Sequence, residues 1–208
     1  MVSIDPSTQT ERDNYKLLIG SIIPRPIAFV TTLAEDGTLN AAPYSYFNIV
    51  AANPPMVSIS VQRKNGEKKD TSRNAAATGS FVVHISDEHY IEQINQTAAA
   101  LPPDESEVQL AGLTPVASEE ISVPGLAEAR IRMECVLEHS LELGGSAGTD
   151  GPGAPACDLL IGRIVRFHID ESIYDNGRID AEALAPVSRL AGNDYAKLGE
   201  RFTIERPV

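Results

Sequence analysis

Cysteine is nearly missing from this chain. Its 208 residues include two, Cys135 and Cys157, and no CxxC. That excludes a disulfide framework and a four-cysteine zinc site, and both thiols read as small, reduced interior side chains. Positive charge is scarce as well: 17 Lys and Arg stand against 29 Asp and Glu, for a net charge of −12. Such a surface repels polyphosphate and anionic lipid, so neither nucleic acid nor a membrane is expected as a partner. A small anion held in a locally basic pocket stays compatible. No apolar run approaches the ~18 residues of a membrane span. The opening MVSIDPSTQTERDNY lacks a basic region followed by an apolar one, so no signal peptide is expected and the location is read as cytoplasmic. His84, His89, His139 and His168 are scattered without metal spacing. GxGxxG and HExxH are missing, so the common dinucleotide and zinc-protease signatures do not apply. No repeat or linker divides the chain. It is read as one domain over 1–208, with a polar arm at 1–12 and an apolar C-terminal segment at 184–208 expected to dock on the body or on a partner subunit.

What is present is mostly strand pattern. Ile27–Leu33, Met56–Gln62, Ser80–Ile85, Glu128–Leu143 and Cys157–Asp170 are β-branched or alternating. A short return strand, Leu39–Ala41, follows the Glu35-Asp36-Gly37 turn. Ile131, Met133, Cys135 and Leu137 alternate with Arg130, Arg132, Glu134 and Glu138, which predicts one dry and one wet face. Short helices are expected over Asp13–Ser21, with Asp13 as a possible cap, and from Ser86-Asp87 to about Ala100, with a further turn within 104–113. Ala42–Pro55 carries Pro, Ser, Asn, Tyr44, Tyr46 and Phe47 outside any clean period. It reads as a loop, either pinned to the core by its aromatics or facing a flat ligand. GGSAGTDGPGAPA at 144–156 reads as a flexible hairpin loop. The count and spacing of strands predict a mainly β fold with peripheral helices, a barrel, with a two-layer α+β fold as the alternative.

The most distinctive stretch is RKNGEKKDTSRNAAATG, 63–79. It gathers Arg63, Lys64, Lys68 and Lys69, then a run of N-cap residue types at Asp70, Thr71 and Ser72, then an Ala-rich helix stopped by Gly79. One reading is a solvated lysine loop before an ordinary capped helix. The other is a phosphate seat, because a helix start offers unpaired N–H groups and a partial positive charge. Asp70 would repel a phosphate, so it is expected to cap the helix.

RPIAFVTT (25–32), DGTLNAAPYSYFN (36–48), NPP (53–55), KDTSRN (69–74), GSFVVHI (79–85), ECVLE (134–138) and PVSRLAGNDY (186–195) follow one another in this order. Together they resemble the flavin reductase-like family with the FMN-binding split-barrel fold, over about residues 15–207. The resemblance implies a Greek-key-like split β-barrel, a homodimer with FMN near the subunit interface, and flavin chemistry driven by NADH or NADPH. It places Ser45, Tyr46, Phe47 and Asn48 along the isoalloxazine ring, with Thr32 and Arg63 nearby. Lys69, Thr71, Ser72 and Asn74 are placed at the phosphate. Arg25, Arg63 or Arg189 is a candidate to stabilise negative charge on a reduced flavin. No side-chain acid or base is required by hydride transfer. His84 reads as a half-buried strand histidine or, alternatively, as a residue near the flavin or nicotinamide. The implied function is an FMN-dependent oxidoreductase, most simply an NAD(P)H:flavin reductase with a possible electron-accepting partner protein. The alternative is an FMN-binding electron carrier resembling flavoredoxin, without a nicotinamide reaction of its own.

Overall fold

Period-2 apolar patterning builds a seven-stranded, wholly antiparallel sheet in this computed structural model, which describes residues 1–207 except Ala100, Pro103, Ser146, Thr149 and Asp150. The strands are β1 (Ala28–Leu33), β2 (Leu39–Tyr44), β3 (Phe47–Ala52), β4 (Pro55–Gln62), β5 (Ser80–Ile85), β6 (Ile131–Leu143) and β7 (Cys157–Ile169), in the order β2-β1-β5-β6-β7-β4-β3. Val30, Tyr44, Ile59, Val61, Phe81, Val83, Cys135 and Leu160 meet in one core. β3 joins it through Phe47, so every strand faces one interior. β1 is buried on both faces: Phe29 points the other way, into a second cluster with Tyr90, Ile94, Val108 and Leu126. That cluster lies under helices α3 (Ile91–Gln96) and α4 (Glu107–Leu110).

Several expectations need correction. The first helix, α1, runs Glu11–Ser21 and is capped by Thr10, not Asp13. Asp13 is the third helical residue: its N–H donates to the Thr10 hydroxyl, which in turn donates to the Asp13 carboxylate. Ala42–Pro55 is not a loop. β2 continues through Pro43 to Tyr44, and β3 pairs with β4. Pro43 is tolerated because β2 is an edge strand. A register shift between Ile49 and Ala51 breaks the alternation that would have marked β3. Asp87 does not open a helix. Its Oδ1 accepts from the His89 N–H in a local turn, and α3 starts four residues later. The end expected for that helix, Ala100, lies outside the described residues. Glu134, assigned to the wet face, is fully buried. Its carboxylate accepts the Glu119 and Glu120 main-chain N–H groups at 2.7 and 2.8 Å and contacts His168 Nε2 at 2.6 Å, which ties the 117–123 connector to the sheet. The C-terminal segment docks only in part. Ser188–Arg189 pairs with Arg25–Pro26 and with Tyr195–Ala196, but beyond that Leu198, Phe202 and Ile204 are exposed. The 144–156 stretch connects β6 to β7, and part of it lies outside the described residues.

Candidate functional site

Helix α2 (Asp70–Thr78) sits across the ends of β1 and β2, and its start is built without a side-chain cap. The N-cap position falls to Lys69, extended at φ −74° and ψ 160°, which has no acceptor to offer. Asp70, expected as the cap, is the first helical residue, and its carboxylate pairs with Arg73 one turn on. Ser72 and Arg73 N–H groups reach the Lys69 carbonyl. Those of Asp70 and Thr71 have no acceptor among the described residues. The helix therefore ends in open donors with the positive end of its dipole. At the other end Gly79 takes φ +70° and closes the helix as expected.

The basic loop leading in is less basic than its sequence. Arg63 donates Nε to both carboxylate oxygens of Asp158 at 3.2 Å and Nη2 to Oδ1 at 2.6 Å, and Glu142 lies 3.1 Å from the same Nη2. Lys68 is held by Glu142 at 2.8 Å. Lys64 and Lys69 have no carboxylate partner among the described residues. Lys69 is exposed as a residue, yet desolvation around its ammonium, helped by the charge of Lys64, lowers its pKa. Its Nζ stands 6.0 Å from the centre of the Tyr44 ring.

Beneath this helix start is a buried polar network. Tyr44 OH donates to Thr71 Oγ1 at 2.8 Å, and Thr71 Oγ1 donates to Asn40 Oδ1 at 3.2 Å. Thr32 Oγ1 reaches the same Asn40 oxygen at 3.3 Å and accepts from Asn74 Nδ2 at 3.4 Å. Asn40 Nδ2 donates to Glu107 Oε2 at 3.0 Å. Of the residues expected at the phosphate, Thr71 and Asn74 share this network with Thr32, while Lys69 and Ser72 flank Thr71 in the same turn without joining it. Asn40, Tyr44 and Glu107 were missed, because a neutral amide in DGTLN and a glutamate on a four-residue helix carry no motif.

A second group lies beside it along the chain. Arg25 is buried and spreads its guanidinium over the Ile19, Ile22 and Leu190 carbonyls at 2.7–2.8 Å, with Nε 3.4 Å from Ser45 Oγ. It pins α1, the C-terminal segment and the turn between β2 and β3 in one place. Tyr46 is half-buried there, its phenol pKa raised chiefly by burial and further by Tyr15. Arg189 pairs with Arg25 through the main chain and stacks on Tyr195 at 4.5 Å. Phe47 turns into the core, and Asn48 is exposed, its side chain bonded to the Ile49 N–H. His84 belongs to neither group. It is fully buried, its Nδ1 2.8 Å from the Phe29 carbonyl and its Nε2 accepting from the Leu126 N–H at 3.0 Å. Burial drives its pKa down to about 4, so both nitrogens serve the fold. Two surface depressions, of about 680 Å³ beside Asp36–Leu39 and about 1020 Å³ beside Glu88–Tyr90, include none of the residues expected at the site, although Tyr195 lines the second.

A model of the flavin reductase like domain matches residues 19–183. Protein YwrF of Bacillus subtilis is 56% identical over 198 residues, covering 94% of each chain. The crystal structure of nitrilotriacetate monooxygenase component B from Bacillus cereus superposes with a TM-score of 0.94 at 67% identity, covering 98% of each chain. Pseudomonas fluorescens 2-nitrobenzoate 2-nitroreductase NbaA superposes with a TM-score of 0.87 at 30% identity, covering 99% of this chain and 96% of the other. With its antiparallel sheet wrapped on one core and its helices outside, the chain is a split barrel and belongs to the flavin reductase-like family.

Proposed function

We propose that the protein is an FMN-dependent oxidoreductase, most simply an NAD(P)H:flavin reductase, with the FMN phosphate at the start of α2. The observation that carries this reading is the uncapped first turn, where the Asp70 and Thr71 N–H groups have no acceptor and Lys69 no carboxylate partner among the described residues. Donors, dipole and ammonium all favour an anion there. Lys69, Thr71, Ser72 and Asn74 form this end of the site, and Thr32 underlies it. Ser45, Tyr46, Phe47 and Asn48 are assigned to the ring on the resemblance, Phe47 through its main chain because its side chain turns into the core, and Tyr44 just before them bonds Thr71 of α2.

Bound FMN supplies the capacity to accept a hydride from NADH or NADPH and pass electrons on. The chain's own groups bind and orient. Arg25 fixes the Ser45–Tyr46 turn and, with Arg189, brings positive charge to that side. Arg63 supports the loop through Asp158 and not as a free cation. No residue needs to move a proton, and His84 is taken up by the sheet.

The ring side calls for a second wall, and a homodimer supplies it. Tyr15, Leu18, Ile22 and Ile23 on and after α1 are exposed, as are Ile49 and Val50 on β3 and Phe202 and Ile204 in the C-terminal segment. Apolar surface of this kind marks an interface. The nicotinamide donor places the reaction in the cytoplasm; among the described residues no helix is long and apolar enough to cross a membrane. A monooxygenase component is the kind of partner that would consume the reduced flavin.

Equilibrium FMN titration tests the reading. Lys69→Ala is expected to raise the Kd about tenfold, the scale of ~1.4 kcal/mol for one charge-assisted contact. An unchanged Kd in a folded variant would remove the phosphate from α2.

A further inference from the structure

The C-terminal segment crosses the body as a strap. After helix α5 (Ala181–Leu184) the chain turns at Ala185, which holds φ +49° and ψ 55°. A residue with a Cβ is strained in that left-handed region, so the closed strap begins at a strained hinge. The next residues pair with the chain just after β5. Val187 N–H donates to the Ser86 carbonyl and Glu88 N–H to the Ala185 carbonyl, both at 3.0 Å. Ser188–Arg189 pairs with Arg25–Pro26, and the Leu190 carbonyl accepts from Arg25 Nη2 at 2.8 Å. Tyr195 OH donates to Asn95 Oδ1 at 3.1 Å, and Lys197 pairs with Glu88.

Asp87 lies directly opposite Pro186 in this pairing, which sets their Cβ atoms about 5 Å apart on one face. Asp87 is fully buried. One carboxylate oxygen accepts the His89 N–H at 2.8 Å, and the other has no partner among the described residues. The strap offers that oxygen no donor. Pro186 has no N–H, the Ala185 N–H is spent on the Ala181 carbonyl, and the Val187 N–H is spent on Ser86. The charged and titratable groups around Asp87 come from elsewhere. Glu88, on the same turn, opposes its charge and is itself paired with Lys197. His89 is exposed on that turn, and Tyr90 gives its proton to the Ile85 carbonyl. Arg130, just ahead of β6, favours the charge but directs Nη1 at the Ala183 carbonyl. Burial outweighs the His89 N–H and Arg130 and holds the Asp87 pKa above the usual aspartate value. A neutral carboxyl suits this place, whereas a carboxylate with one hydrogen bond is costly in it.

We propose that Asp87 is a proton-dependent pin for the strap: residues 185–197 lie closed over the neutral carboxyl and lift, hinging at Ala185, when the carboxylate must reach water. Lifting also withdraws the Leu190 carbonyl from Arg25, whose Nε lies 3.4 Å from Ser45 Oγ, so the turn between β2 and β3 loosens with the strap. The sign is opposite to that of His84, which burial keeps neutral. A raised aspartate pKa makes the closed strap most stable in acid, below the ordinary aspartate value, and that stability is lost as the pH rises through the folded one.

Amide hydrogen exchange on the full chain tests the pin. Protection is read at the Val187 and Glu88 N–H groups, which bond across the strap, relative to Val83 in the central strand β5, so that intrinsic exchange and global unfolding are divided out. In the unsubstituted protein this ratio is expected to fall at least about threefold between about pH 4 and about pH 7. Asp87→Asn keeps an acceptor for the His89 N–H and cannot ionise, so its ratio is expected to stay level within about twofold over the same range. Asp87→Ser, which also keeps an acceptor and loses the charge, takes its place if the Asn variant does not fold. His89→Gln is expected to retain the fall. A level ratio in the unsubstituted protein overturns the pin, as does a fall that persists without the Asp87 carboxyl or vanishes in His89→Gln.

Discussion

His84 is a titratable ring enclosed by protein on every side, and that has a consequence in acid. It bonds the Phe29 carbonyl and the Leu126 N–H only as the neutral ring. Burial lowers its pKa to about 4, against about 6.5 when unfolded. The unfolded chain therefore takes up a proton first, and stability is full above pH ~6.5 and lost as the pH falls toward 4. Glu134 adds to the same trend. Burial acts to raise its pKa, but the Glu119 and Glu120 N–H groups and His168 outweigh that and hold it below the usual glutamate value. Its contribution is present above the unfolded glutamate pKa and disappears as the pH drops through the folded one. Melting temperature is thus expected to decline steadily from pH 6.5 to 4, and His84→Gln, which cannot titrate, is expected to flatten the upper part of that decline. A flat wild-type profile over this range would contradict the assignment. The histidine's role was open in the sequence, since only the register that sets it against Phe29 decides it.

At the scale of elements, two glycines mark where geometry is least forgiving. Gly79 ends α2 at φ +70° with open space around it. Alanine there meets no clash but must enter the left-handed region, at a cost of about 1–2 kcal/mol. Gly162 lies on β7 beside a register shift, and an added Cβ would come within 2.4 Å of Phe81 Cζ and 3.1 Å of Cys135 Cβ. Those atoms are core, so Gly162→Ala is expected to cost about 1–3 kcal/mol, with a melting temperature lower by several degrees. A Gly162→Ala variant as stable as the unsubstituted chain would show that the barrel interior is looser than described. Gly79 was legible because a stop glycine follows an Ala-rich run. Gly162 was not, because nothing local says that a phenylalanine from β5 fills its place. The same limit explains β3. Its bulge erased the alternation, so a real strand looked like a loop, whereas β5 was legible to the residue. At α2 the helix was legible and its cap was not: Asp70, Thr71 and Ser72 are all N-cap types, and the backbone gave the position to Lys69.

For the whole molecule, the exposed apolar side chains and the acidic net charge pull in opposite directions. A monomer with Ile22, Ile23, Ile49, Val50, Phe202 and Ile204 in water would leave a large apolar surface unpaired. A stable dimer interface covers about 800 Å² per partner, and the proposed homodimer would draw its core from these positions. Sedimentation at micromolar concentration is expected to give twice the 22.3 kDa chain mass. A monomer there would argue that the ring side of the site is closed by something else. The proposed phosphate end rests on the KDTS segment and its lysines, and the proposed ring end on the resemblance. The network of Asn40, Tyr44 and Glu107 under α2 was legible only in three dimensions.

The most direct measurement is a visible spectrum. The protein is incubated with excess FMN, desalted, and recorded before and after anaerobic NADH or NADPH. The yellow band is predicted to stay with the protein and to bleach rapidly. A band that stays and does not bleach with either nucleotide would contradict the nicotinamide reaction and leave a flavin-binding electron carrier. Loss of the band, with no NAD(P)H oxidation in the presence of free FMN, would contradict the flavin reading itself.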